Sequence, residues 1–511
     1  MSTGQTGILI SIIVYLSMMV YVGFYFSKKG SSESSADFYL GGRKLGPFVT
    51  AMSAEASDMS SWLLMGLPGV AYLTGIADAG WTAIGLAVGT YLNWLIVARR
   101  LRRYSITCHA ITIPDFFSKR YRDKKNILMC IAAIVILIFF IPYTASGFKA
   151  IGTLFSSLFS VEYHVAMVIG AIVVVGYTVM GGFMAVSTTD LIQSIVMSIS
   201  LVVIVFFGIH VAGGWDAVVT NATSLAGYLS MTQIHNMADN TASPYSFLTI
   251  SSTLAWGLGY FGMPHILLRF MAIEDENKLS LSRRIASVWV VISMFVAILI
   301  GIIGYGASVA GSLPMFASSS ESETVIIRLA GLLAQNGFLV SIVAGIVLAG
   351  ILACTMSTAD SQLLTAASGV SQNLLQDFLK IKMSTQASMR AARLTVVGIA
   401  LIAMVLAWNP DSSVFTIVSF AWAGFGASFG PVVLFALFWR RSNFQGALAG
   451  MISGGIMVFV WKYLIKPMGG VWGIYELLPA FIVASVMIVI VSLATKAPSE
   501  EICAEFDSIG K

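Results

Sequence analysis

The sequence predicts an all-α integral membrane protein with about thirteen transmembrane helices. Three features carry this expectation: a shortage of charge, many apolar runs of bilayer length, and a one-sided distribution of Lys and Arg. Of 511 residues, 57% are hydrophobic and 10% are charged, and the mean hydropathy is +0.87. Soluble domains carry about 25% charged residues. Lipid is the solvent that fits, because a spanning helix needs about 20 apolar residues.

Thirteen candidate spans follow in order: 7–27, 45–73, 79–98, 127–148, 163–186, 190–210, 246–268, 285–310, 337–369, 391–408, 413–438, 444–465 and 475–495. The first run has no basic stretch before it, and Lys28 and Lys29 follow it. A secretory signal has the opposite polarity, so a retained helix with its N-terminus outside is expected. Alternating sides from there, 25 of the 29 Lys and Arg fall on the inner side and four (Lys149, Arg328, Lys462, Lys466) on the outer. Cytoplasmic loops are enriched in basic residues, so the C-terminus is expected in the cytoplasm of a multi-pass plasma-membrane protein. The net charge of +5 therefore reads as topology, and no nucleic-acid partner is expected. Residues 1–497 are expected to form one transmembrane domain. Residues 498–511 are expected to be a short tail with no assigned role. The four cysteines form no CxxC or His/Cys cluster, and none lies in an outer segment; disulfides, zinc and haem are not expected. Asn221-Ala222-Thr223 matches a glycosylation pattern, for which a chance triplet is the simpler reading.

Three spans are not uniformly apolar. The second carries Glu55 and Asp58 among Ser53, Ser57, Ser60 and Ser61, then Gly66-Leu67-Pro68-Gly69. An acid near the middle of a span costs about 2.5–3.5 kcal/mol to insert. Such a residue faces a cavity, binds an ion, or caps a half-helix. The Ser, Gly and Pro density predicts unwinding there. The seventh span reads Trp256-Gly257-Leu258-Gly259-Tyr260-Phe261-Gly262-Met263-Pro264-His265, and is also expected to break. Trp256 and Tyr260, four apart, share a helix face and suit a partly apolar solute, or simply pack; His265 reads as a hydrogen-bonded helix-end residue. The ninth span carries Gly345, Ala349, Ala353 and Ser357 at steps of four, with Thr358 beside the last. Small-residue stripes let another helix approach closely. Two hydroxyls at its end, with freed carbonyls, suit a hard monovalent cation; helix packing alone is the other reading. Gly446, Gly450 and Gly454 form a similar stripe with no polar end, read as packing. Spans 2 and 7 are five apart and run oppositely, as broken helices do in inverted repeats.

These segments resemble the sodium/solute symporter family, and within it the bacterial sodium/proline symporters, almost end to end. The resemblance rests on Ala56-Ser57-Asp58-Met59-Ser60, Trp62-Leu63-Leu64-Met65-Gly66-Leu67-Pro68-Gly69, Trp256 to Gly262, Met356-Ser357-Thr358 and Ala421-Trp422-Ala423-Gly424-Phe425-Gly426. It implies a LeuT-type core of inverted five-helix repeats with discontinuous helices, at about 45–210 and 246–438, and a secondary active transporter, not an enzyme, that couples inward sodium movement to uptake of L-proline without a cofactor. It also implies sodium ligands at Ala56, Met59, Cys354, Ser357 and Thr358, the first three through carbonyls. Asp58 and Asp190 would serve sodium coupling. Solute contacts would be Ser60, Tyr143, Trp256, Tyr260 and Pro264. Ser61, Met263 and Glu55 depart from the usual proline-type residues, and bear on substrate and ion preference. A proton-coupled or different-substrate member is the nearest alternative. A channel would need a pore motif, a sensor an output domain, and an enzyme a nucleophile–base or metal constellation; none is legible.

Overall fold

The computed structural model describes residues 2–29, 39–180 and 182–510. Most of the inner segment expected between the first two spans, and the last residue of the tail, lie outside the described residues. Among the described residues, ten helices are long and apolar enough to cross a bilayer. The three remaining predicted spans, 45–73, 163–186 and 246–268, coincide with shorter or interrupted helices, so length and apolarity alone do not fix thirteen crossings.

Helix α1 (Thr3–Lys29) precedes the core. The second span is split. Pro47 opens α2 (Pro47–Asp58) after Gly46 in extended backbone, a position where the missing N–H costs nothing. Met59 ends α2 with ψ near 18°; a wide π turn, Trp62–Gly66, leads into α3 (Leu67–Thr74). Gly75 stops α3 at φ 77°, left-handed backbone that a side chain resists. There follow α4 (Ile76–Leu92), α5 (Ala98–Thr107), α6 (Ile113–Arg120), α7 (Ile127–Phe159), α8 (Tyr163–Met180) and α9 (Phe183–Val211). The outer loop holds α10 (Trp215–Thr223) and a hairpin of β1 (Gln233–Asn236) with β2 (Thr241–Pro244), antiparallel. That hairpin is a small exception to the all-α expectation.

The seventh span is also split: α11 (Phe247–Leu254), a 3₁₀ stretch Ala255–Gly262, extended Met263, then α12 (Pro264–Ala272). The expected unwinding is thus realised as tightened and widened turns around single non-helical residues, which keep most backbone groups bonded inside the span. Next come α13 (Leu279–Val309), α14 (Val325–Leu333), α15 (Phe338–Ser368), α16 (Thr385–Leu406), α17 (Val414–Phe438), α18 (Phe444–Val460), α19 (Leu477–Ala494) and α20 (Glu500–Ile509). The tail, given no structure by its sequence, forms α20; it docks through a bidentate Arg440–Asp507 pair and through Phe506 under the Arg100 and Arg120 guanidiniums.

Leu45, just before α2, exchanges backbone hydrogen bonds with Ala272 and Glu274 at the far end of α12. The start of one broken span therefore meets the end of the other, and the two run antiparallel, as inverted repeats require. Glycines permit the contact between the seventh span and α4: a Cβ on Gly257 would sit 2.2 Å from the Gly85 carbonyl oxygen, and one on Gly89 2.3 Å from that of Gly257. Gly257→Val is expected to cost at least about 1–3 kcal/mol through overpacking, read as a lower thermal midpoint of the purified protein in detergent. The Gly446, Gly450 and Gly454 stripe packs on Ser492, Ile488 and Ala484 of α19. Gly345 meets Ile8 and Ser11 of α1, so the upper part of the ninth-span stripe receives the first helix rather than the second.

Candidate functional site

A cluster of oxygens lies where α2 touches α15. The Ser357 hydroxyl donates to the Ala56 carbonyl at 2.7 Å and approaches the Cys354 carbonyl at 3.2 Å. The Thr358 hydroxyl donates to the same Cys354 carbonyl at 3.1 Å. Ser357 and Thr358 are 0% and 3% exposed, so the doublet faces inward rather than toward lipid. Four of the five predicted cation-binding groups thus converge. The fifth, Met59, is the non-helical residue that ends α2, beside them in the chain. All are neutral oxygens of hydroxyl or carbonyl type. Hard cations prefer oxygen ligands, and each hydroxyl here is bonded to a carbonyl that a cation would share.

Asp58 sits one residue before that break. Its Oδ2 accepts from the Tyr260 hydroxyl at 2.5 Å, and its backbone carbonyl accepts from the Tyr143 hydroxyl at 3.1 Å. Asp58, Met59, Trp62, Leu86, Tyr143, Trp256, Val418 and Trp422 line a cavity of only about 10 Å³. That is roughly one water, so a solute the size of an amino acid enters only after the walls part. Trp256 stacks on Tyr475 at 5.0 Å and packs on Trp62 and Phe415 at 5.7 and 5.5 Å. The Trp422 indole N–H donates to the Trp256 carbonyl at 2.8 Å, and Tyr260 meets the Trp422 ring edge-on. Ser60 accepts from the Trp62 amide at 3.2 Å. Ser60, Tyr260 and Pro264 are buried but do not line the cavity as it stands. His265, next to Pro264 in α12, packs against Phe140.

Two buried ion pairs flank this region. Asp190 on α9 accepts from Arg269 of α12 at 3.0 Å and from Ser53 of α2 at 2.6 Å. Arg269 also donates to Ser361 of α15 at 2.6 Å and to Ser53 at 3.0 Å. One guanidinium thereby ties both broken spans to α9 and α15. Near the other end of the bundle, Glu323 accepts from the Ser413 hydroxyl and from the Val414 and Phe415 amides at 2.7–3.0 Å. It also pairs with Lys149 at 3.4 Å. A carboxylate on the first amides of α17 is favourable there, and it fixes Phe415 over the aromatic cover of the cavity.

The sequence matches the sodium:solute symporter family over residues 38–454. The chain belongs to that family. A sodium/proline symporter of Staphylococcus aureus (strain USA300) is 39% identical over 500 residues, covering 96% of this chain and 93% of the relative. The same holds for the protein of that name in strain NCTC 8325. A sodium-coupled sialic acid symporter in a substrate-bound, outward-open state shares the fold, with a TM-score of 0.76 and 17% identity over 97% of this chain and 99% of that one. A nucleobase-cation-symport-1 family transporter, closed around bromovinylhydantoin, aligns with a TM-score of 0.57 and 13% identity, covering 93% and 99% of the two chains.

The residues of this symporter that sequence reasoning missed are those whose partners lie far away in the chain. Phe415 and Tyr475 join Trp62 and Trp422, which the sequence showed as motif residues without a role, in an aromatic cover drawn from four separate segments. Arg269 and Lys149 were counted as loop charges, inner and outer, because the predicted spans end at 268 and 148; both are buried, within α12 and α7. Removing one from each side leaves the charge asymmetry intact.

Proposed function

We propose that the protein couples inward movement of sodium to uptake of L-proline by alternating access. The observation that carries this reading is the oxygen cluster joining α2 to α15, whose Ala56 carbonyl lies two residues before Asp58, a residue that lines the aromatic cavity. Sodium would be held by the carbonyls of Ala56, Met59 and Cys354 and the hydroxyls of Ser357 and Thr358. It would draw α2 onto α15 and set the break at Met59. Asp58 holds Tyr260, and through its carbonyl Tyr143, so a change at the cation reaches two side chains assigned to the solute. Trp256 and Tyr260 would cover the pyrrolidine ring, and the solute carboxylate would meet backbone amides of the broken spans, where helix dipoles are positive. Asp190, with Arg269, would act on the sodium path rather than on the solute. The 39%-identical sodium/proline symporters support the choice of substrate.

The energetics are adequate. One charge crossing about 150 mV is worth about 3.5 kcal/mol, a few hundred-fold in concentration. A single sodium per solute therefore drives useful accumulation. Purified protein in liposomes, given labelled proline under an inward sodium gradient, is expected to accumulate it above equilibrium and to exchange it for unlabelled proline. Accumulation under a proton gradient alone, or of a different solute only, would replace the coupling ion or the substrate. Trp256→Ala is expected to weaken proline binding about ten- to a hundredfold, a loss of about 1.5–3 kcal/mol of ring contact, while sodium binding in detergent persists.

A further inference from the structure

A groove of about 660 Å³ runs along the membrane-facing side between α9 and α13, beside α2. Its walls are apolar: Ile195 and Val202 from α9, Val288 and Ile292 from α13, and Phe48 from α2 are all about half exposed or more. Its floor is bridged by the Trp289 indole N–H, which donates to Ser198 at 3.0 Å. Arg284 stands at one end, near the start of α13, and Val296 at the other. Twelve residues at 1.5 Å each separate them along the helix, about 18 Å. One leaflet of hydrocarbon is roughly 15 Å deep.

The end holding Arg284 is also the end where chain segments carry most basic residues. Ser282, two residues earlier, donates to the Pro47 carbonyl at 2.8 Å, which brings the start of α13 to the start of α2. Lys44 lies four residues before Phe48 in sequence and is exposed. Arg283 is directed onto the Tyr91 ring at 5.4 Å. Arg284 is exposed, and no ion pair or hydrogen bond ties it among the described residues.

We propose that this groove is a binding site for an anionic phospholipid of the inner leaflet, its phosphate on Arg284 and one acyl chain lying over Trp289 toward the midplane. Length and charge both select this occupant. A zwitterionic lipid offers the same chain but a headgroup whose own cation offsets the phosphate. A protein helix would bury the apolar wall without using the terminal guanidinium. The lipid touches Phe48 and Met52 of α2, the half-helix that carries Glu55 and Asp58. Its presence would therefore bias where α2 rests, whatever solute the protein carries.

Brominated acyl chains quench tryptophan on contact, and Trp289 reports the groove. The full-length protein is reconstituted in nanodiscs containing a minor fraction of brominated phosphatidylglycerol or brominated phosphatidylcholine. The Trp289 component is taken as the difference between the wild type and Trp289→Phe. Half-maximal quenching of that component is expected at about fivefold less phosphatidylglycerol than phosphatidylcholine, the effect of one basic residue near an anionic surface. Arg284→Gln is expected to abolish the preference and Arg284→Lys to retain it. Equal quenching by both lipids in the wild type, meaning bulk lipid fills the groove, would overturn the proposal. So would a preference that survives in Arg284→Gln while the protein stays monodisperse.

Discussion

Arg269→Met is expected to destabilise the protein by about 3–5 kcal/mol, the cost of stranding a buried charge. Arg269 and Asp190 are 1% and 0% exposed. Without the guanidinium, Asp190 keeps, among the described residues, the Ser53 hydroxyl, and Ser361 loses its donor. The double variant Arg269→Met with Asp190→Asn removes both partners of the pair but leaves the buried Asp360, which also faces the Arg269 charge; it is expected to recover part of the loss, since replacement of a whole buried pair is often neutral. Thermal midpoints of the wild type, both single variants and the double variant in one detergent check this as a cycle. Additive losses would mean that the two residues act separately. The pair also matters to the transport cycle, because Arg269 is the contact common to α2, α9, α12 and α15. Any movement of α2 away from α15 has to pull on it.

Thr358→Ala is expected to raise the half-saturating sodium concentration for proline uptake by about ten- to a hundredfold. A polar contact to a charged group contributes about 1.5–3 kcal/mol, and 1.4 kcal/mol is a factor of ten. The proline requirement at saturating sodium is expected to change much less, because the Thr358 hydroxyl contacts the Cys354 carbonyl and is not part of the cavity wall. Initial rates over a sodium series at fixed proline, then a proline series at fixed sodium, separate the two. An equal rise in both would remove Thr358 from the ion site.

Much of this was readable from sequence because bilayer physics leaves few choices. Apolar runs of helical length located the long spans. Clusters of Gly, Pro and Ser located both breaks, at Met59 and Met263. The Ser357–Thr358 doublet was legible because it ends a stripe of small residues on an otherwise apolar helix. The form of the breaks was not legible: whether backbone groups are freed or rebonded in 3₁₀ and π turns depends on neighbours such as Ser357 and Tyr143, which come from other helices. Arg269 was hidden for a related reason. An arginine just past an apolar window reads as a loop charge, and Asp190, the first residue of the predicted span 190–210, reads as its edge; the helix in fact begins at Phe183, which puts Asp190 inside it and in need of a cation. Searching for the partner of each acid in or at the edge of a span would have found it. The aromatic cover drew on four distant segments, and nothing local distinguishes Phe415 from the many phenylalanines that face lipid.

The measurement closest to the central claim is equilibrium binding of radioactive sodium to the purified protein in detergent, without solute. Saturable binding is expected in the wild type and in Trp256→Ala, and its loss in the double variant Ser357→Ala with Thr358→Ala at unchanged thermal stability. Undiminished sodium binding by that double variant would place the ion elsewhere and contradict the account.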